Sequence, residues 1–257
     1  MPSLLDRLLD KVYIACRDRR TDIETQRGIV SFTFDDFPAT ALHNGAPILE
    51  DSGWRGTYYT CGGMLGGLSE SGVIASPNDV EVCLERGHEI ANHTLNHCNC
   101  VEADAATIRR EITENLAALP EGATNNFAFP FGAANIRECR IASDIVTTAR
   151  GVQHGINGQG AQIKDLRANP IYSANGLETL YSLIRETAAS RGWLILYTHD
   201  VADKPSQFGC TPQDLAAIVA AVRETELDVL TVEQARRTIL HQSGGAPVEP
   251  MRPEKAA

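Results

Sequence analysis

A chain of 257 residues, 43% hydrophobic and 22% charged, can bury a full core without staples and is too apolar for global disorder. Its 33 acidic against 23 basic residues give a net charge of −10, which argues against nucleic-acid or anionic-membrane partners, whose phosphates call for clustered Lys and Arg. Seven scattered cysteines, an odd number, point to reduced thiols rather than a disulfide framework.

At the start of the chain Leu4, Leu5, Leu8, Leu9 and Val12 fall at helical spacing, giving an expected N-terminal helical extension over residues 1–27. Asp6 and Asp10 interrupt its apolar stretch, so it does not read as an export signal, and no run approaches the ~18 apolar residues of a membrane span. The expected location is the cytoplasm. Residues 28–34 form a β-rich run that breaks at Asp35-Asp36-Phe37-Pro38, and 56–60 reads as a second strand. Ser76-Pro77 opens a helix that stops at Gly87, and 89–91 is a brief strand. Residues 104–119 form a helix with Ile108, Ile112, Leu116 and Leu119 on one face, and 127–130 is a strand end. The Gly-rich segment 151–160 lacks the strand-to-helix context of a phosphate loop and reads as a mobile loop placed over the cleft; a simple loop is the favoured reading of His154 and Asn157, and substrate contact the alternative. Residues 193–198 are the most hydrophobic strand. Thr211-Pro212 opens a further helix with Asp214 at the capping-box position, and 228–230 is a last strand. Residues 242–257 read as a flexible tail. Strands alternating with helices imply one domain, residues 28–241, built on a mostly parallel sheet, either a barrel of seven or eight strands or a doubly wound sheet.

Ionisable residues follow three of the apolar strands: Asp35-Asp36, Asn92-His93 and His199-Asp200. In parallel α/β folds such strand ends converge on one face, where sites are built. The i, i+4 spacing of His93 and His97 would put both imidazoles on one side of a helical turn. Two His and a carboxylate make a common catalytic zinc set, with Asp35 and Asp36 the nearest acids by fold logic. Either motif alone is usually structural; both at separate strand ends favour a metal. A thiolate site at Cys98 and Cys100 is the weaker rival, lacking a second CxxC. His88 reads as structural.

The segments Thr33-Phe34-Asp35-Asp36, Gly87 to His97, Phe129-Pro130-Phe131-Gly132 and Leu196 to Asp200 resemble, in order and approximate spacing, polysaccharide deacetylases of the NodB-homology type, carbohydrate esterase family 4. The resemblance covers residues 28–230. It implies an α/β fold, a distorted (β/α) barrel of seven or eight parallel strands, and one divalent metal, zinc, on Asp36, His93 and His97. It also implies Asp35 as general base and His199 as general acid, with an oxyanion or substrate contact at Pro130-Phe131, where the Phe131 N–H is the donor. Two departures stand out. The family's third motif carries an Arg where this chain has Ala128; Arg150 is one candidate to replace it as partner of Asp35, beside its readings as a surface Arg or as a clamp for a substrate carboxylate. The Asp-Trp fourth motif has no clear match, leaving Asp165 and Asp200 as candidate supports for His199.

The expected activity is removal of an N-acyl group, N-acetyl above all, from a sugar of a cytoplasmic glycan intermediate. Its rivals are hydrolysis of a non-sugar amide or cyclic ureide, and an inactive relative that binds a glycan or a partner.

Overall fold

The computed structural model describes residue 23 and residues 25–242. The expected N-terminal helical extension over residues 1–27, apart from residues 23 and 25–27, and all but the first residue of the expected tail lie outside these residues.

Strand β1 (Ile29–Phe34) is buried along its whole length, as suits a central parallel strand rich in apolar, β-branched and aromatic residues; its Ser31 hydroxyl donates to the Leu230 carbonyl at 2.7 Å. A π-helical turn (Ala41–Gly45) and the short helix α1 (Ala46–Glu50) lead to β2 (Thr57–Thr60). A surface hairpin follows, β3 (Leu68–Ser69) with β4 (Gly72–Val73). Helix α2 (Pro77–Glu85) starts in a capping box between Ser76 and Asp79. After β5 (Glu89–Asn92), Asp104 caps α3 (Ala105–Ala118) by accepting the Thr107 N–H. Then come β6 (Asn126–Ala128), α4 (Ile136–Ser143), β7 (Thr148–Arg150), β8 (Asn169–Pro170), α5 (Glu178–Ser190) and β9 (Trp193–Thr198). Helix α6 (Pro212–Arg223) is capped by Thr211, while the Asp214 carboxylate, expected to complete a box there, takes the Ser173 hydroxyl instead. Strand β10 (Asp228–Val229) and α7 (Val232–Gln242) end the described chain.

The strand order is β7-β6-β5-β2-β1-β9-β8, with β10 also beside β1, and the pairings in this sheet are parallel. The two edges curl toward each other. Leu166, just ahead of β8, forms a parallel bridge with Arg150 of β7, its N–H donating to the Ala149 carbonyl at 2.9 Å. The sheet is therefore a distorted (β/α) barrel rather than an open doubly wound sheet. Helices cover its outside through Phe32, Phe34, Leu194, Leu196, Leu215 and Ile218. Ala91 and Ala128 cluster with Tyr59 apart from that core, beside the guanidinium of Arg150.

Candidate metal and catalytic site

The C-terminal ends of β1, β5, β7 and β9 place Asp35 and Asp36, His93 and His97, Arg150 and His199 at one rim of the barrel, where parallel barrels build their sites. The chain leaves β1 through two successive left-handed residues, Asp36 (φ 61°) and Phe37 (φ 50°). A non-glycine residue there costs about 1–2 kcal/mol and persists only where its surroundings over-determine it. The kink sends two neighbouring carboxylates to different partners: Asp35 to Arg150, and Asp36 to the two imidazoles.

Asp36 Oδ1 lies 3.3 Å from His93 Nε2 and 3.1 Å from His97 Nε2, and one ligand atom of each residue lies within 4.8 Å of the others. That oxygen is buried and has no hydrogen-bond partner. His93 Nδ1 is 2.8 Å from the Ala128 carbonyl, which can only accept, so Nδ1 carries a proton and Nε2 is the nitrogen presented to the site. Burial works against ionisation of Asp36, but the two imidazoles outweigh it and hold the carboxyl well below the ordinary carboxylate range. An anionic oxygen without a donor, faced by two imidazole nitrogens, is the donor set of a divalent transition metal, so the residues fit one.

The expected helical turn between the two histidines is absent. Residues 93–97 are a loop in which Thr94 (φ 64°) and His97 (φ 54°) are both left-handed. The i, i+4 spacing brings the rings together through that loop, their centroids 5.2 Å apart. Cys98 and Cys100 are outside the cluster, and burial pushes both thiols up, Cys100 to about 12. His88 sits against the Glu50 carboxylate at 2.9 Å while its Nδ1 accepts the Gly56 N–H, a structural position away from the triad.

Arg150 donates from Nη2 to Asp35 Oδ1. Its guanidinium is 1% exposed and stacks over the rings of Tyr59 and Tyr197, 4.5 and 5.2 Å from their centroids. Burial alone would lower its pKa; the Asp35 charge overrides this and keeps it cationic.

His199 Nδ1 lies 3.2 Å from the carbonyl of Phe208, and its ring packs on Phe208 and Tyr172. Neither carboxylate considered as its support is the partner of that nitrogen. Asp200 turns instead to Ser206, accepting its N–H at 2.9 Å and its hydroxyl at 2.5 Å. Asp165 lines a cavity of about 220 Å³ with Gln153, Asn157, Gln162 and Arg167. Phe208 carried no sequence signal, since a backbone carbonyl can come from any residue type. Pro130 and Phe131 form a tight turn with Phe131 at φ 60°, its exposed ring 4.4 Å from that of His97. The Gly-rich segment starts at the rim, where Val152 crowds Gly132, and Asn157 lies away from it. Asn157 is buried, its side chain bonded to the backbone of Arg167 and Trp193, and Trp193 opens the strand whose far end leads to His199.

A family model described as polysaccharide deacetylase matches residues 22–149. Among solved structures, a Mycobacterium smegmatis protein assigned as a polysaccharide deacetylase is 18% identical and superposes with a TM-score of 0.67, covering 91% of this chain and 96% of its own. A family 4 acetyl xylan esterase from Clostridium thermocellum, in complex with a cobalt ion, is 19% identical with a TM-score of 0.56, covering 80% of this chain and 89% of its own. A family 4 pseudoenzyme from Bacillus anthracis is 13% identical with a TM-score of 0.56, covering 82% of this chain and 66% of its own. A comparison with curated protein sequences returns no significant match.

Proposed function

The chain belongs to the polysaccharide deacetylase family, a family of amide and ester hydrolases, and from that premise we propose that it removes an N-acetyl group from a sugar of a cytoplasmic glycan intermediate. Asp36, His93 and His97 would hold one divalent ion, zinc, in this reading. The observation that carries it is the buried, unpartnered Asp36 oxygen facing two imidazoles next to a second carboxylate clamped by a buried guanidinium. The buried thiols of Cys61, Cys83, Cys100 and Cys210, all free, suit a reducing compartment. Among the described residues no helix is long and apolar enough to cross a membrane.

Amide hydrolysis needs a base for the attacking water, an acid for the departing amine and stabilisation of the oxyanion. A divalent ion supplies Lewis acidity toward the substrate oxygen. Asp35 takes the proton of the attacking water: Arg150 fixes Oδ1 and leaves Oδ2 for the transfer. His199 gives a proton to the leaving nitrogen from Nε2, its ring held by Nδ1 donation to the Phe208 carbonyl. The Phe131 N–H, in the turn beside His97, is the backbone donor to the oxyanion, a contribution of about 3–4 kcal/mol.

The test is acetate release from N-acetylglucosamine oligomers by the zinc-loaded chain. The expected result is turnover that falls at least ~10²-fold in Asp35→Asn while zinc stays bound. An Asp35→Asn variant at the wild-type rate would overturn the base assignment. Hydrolysis of simple amides or cyclic ureides by the wild type, with no acetate from the oligomers, would overturn the sugar assignment.

A further inference from the structure

We propose that Glu111, on α3 and touching none of the reacting groups, is the positioning residue of the metal centre and sets its affinity for a divalent ion; the inference rests on the metal-site reading above. The periodicity of α3 would turn Ile108, Ile112, Leu116 and Leu119 inward. Ile108, Ile112 and Leu119 are buried accordingly, but the helix also buries Glu111 and Asn115 and leaves Leu116 half-buried. Burying a carboxylate is expensive unless its oxygens are satisfied, and those of Glu111 are satisfied by the loop between the two histidines. Oε2 accepts the Asn96 N–H at 2.9 Å and Oε1 the Asn96 side-chain amide at 3.0 Å. The Glu111 backbone carbonyl accepts the Leu95 N–H at 3.0 Å. One helix residue thus binds three donors from the two residues midway between His93 and His97.

The loop needs such a grip. Thr94 and His97 are both left-handed, a conformation that is strained at a non-glycine residue and persists only where its surroundings over-determine it. Asn115, one turn further along α3, holds the adjoining strand ends: its Oδ1 accepts the Gly62 N–H at 2.7 Å, and its amide donates to the Thr60 carbonyl and to Asn92 Oδ1. From the other side the Gly63 N–H donates to the Leu95 carbonyl at 2.8 Å, and a Cβ on Gly63 would collide with that carbonyl and with the Asn96 side chain. The segment is held between α3 and the turn after β2, and the His97 ring is aimed at Asp36 as a consequence. Released from Glu111, the loop relaxes toward ordinary backbone angles and the third ligand leaves the triad.

The test is zinc affinity of the full chain, measured by competition with a chromophoric chelator. Glu111→Gln keeps the size of the side chain but sets an NH2 group against the Asn96 donors. The expected result is binding weakened ~10–100-fold, the range for residues that orient metal ligands. The control is Ile108→Val, which loosens the same helix without touching the loop and should lower Tm with no change in zinc affinity. Glu111→Gln binding within about twofold of wild type overturns the proposal, as does an equal loss in Ile108→Val. A wild-type chain that binds no zinc overturns both this proposal and the metal-site reading, which separates that failure from failure of Glu111 alone.

Discussion

Arg150 places its charge where neither water nor a surface counter-ion reaches it, between two tyrosine rings and against Asp35. Removing one partner of such a buried pair strands the other, typically at a cost of about 3–5 kcal/mol. Arg150→Met should therefore lower Tm and cut acetate release at least ~10²-fold with zinc stoichiometry unchanged; an unaltered turnover would show that Asp35 works without the guanidinium. At this scale the sequence was only partly legible. Asp35, Asp36, His93, His97 and His199 stand at strand ends where an ionisable residue after an apolar run can be noticed. Arg150 shows itself chiefly through Ala128, its register partner on β6, where the family carries an Arg. The carbonyl of Phe208 and the inward turn of Glu111 depend on long-range packing that no local pattern encodes.

Elements with strong local chemistry were readable and weakly marked ones were not. α2, α3 and α6 each begin at a Ser, Asp or Thr cap, and β1 and β9 are long apolar runs. By contrast α5 begins at Leu177 with no side-chain cap and β7 is Thr-Ala-Arg, while α4 does carry a start signal, Asn135 boxed with Glu138, but only eight residues follow it. At the opposite end of the barrel from the site, the start of α7 docks on β5: the Glu233 N–H donates to the buried Glu89 carboxylate, which also accepts from Thr57, Thr124 and Asn126. Burial pushes the Glu233 carboxyl up, but hydrogen bonds from Arg236, Arg237 and Asn126 outweigh it and hold it at about 2, against an ordinary 4.5. A depressed carboxylate pKa contributes stability that is fully present above the unfolded value and disappears as pH falls through the folded one. Glu233→Gln should thus lower Tm near neutral pH by about 2–4 °C, on the order of 1 kcal/mol. The gap from wild type should narrow as pH drops below 4.5 toward 2; a gap that stays constant in urea titrations across that range would show that the ion pairs of Glu233 do not supply it.

For the whole molecule, the alternation of strands and helices conveyed a parallel α/β architecture, and the polar strand ends conveyed that one rim carries the chemistry. What closes the barrel was hidden. The bridge runs through Leu166 and a two-residue β8, too short to carry a period, and the Gly-rich segment before it is tied to the start of β9 through Asn157. The same closure brings Arg150 inside, so the clamp on Asp35 is a property of the closed barrel rather than of any single motif. The central claim is that this rim holds a divalent metal on Asp36, His93 and His97. The most direct test is metal content by mass spectrometry on chain purified without a histidine tag and reconstituted with zinc, beside His93→Ala. The account predicts about one ion per chain in the wild type and its loss in the variant. A wild type that takes up none, or a variant that keeps it, would contradict the account.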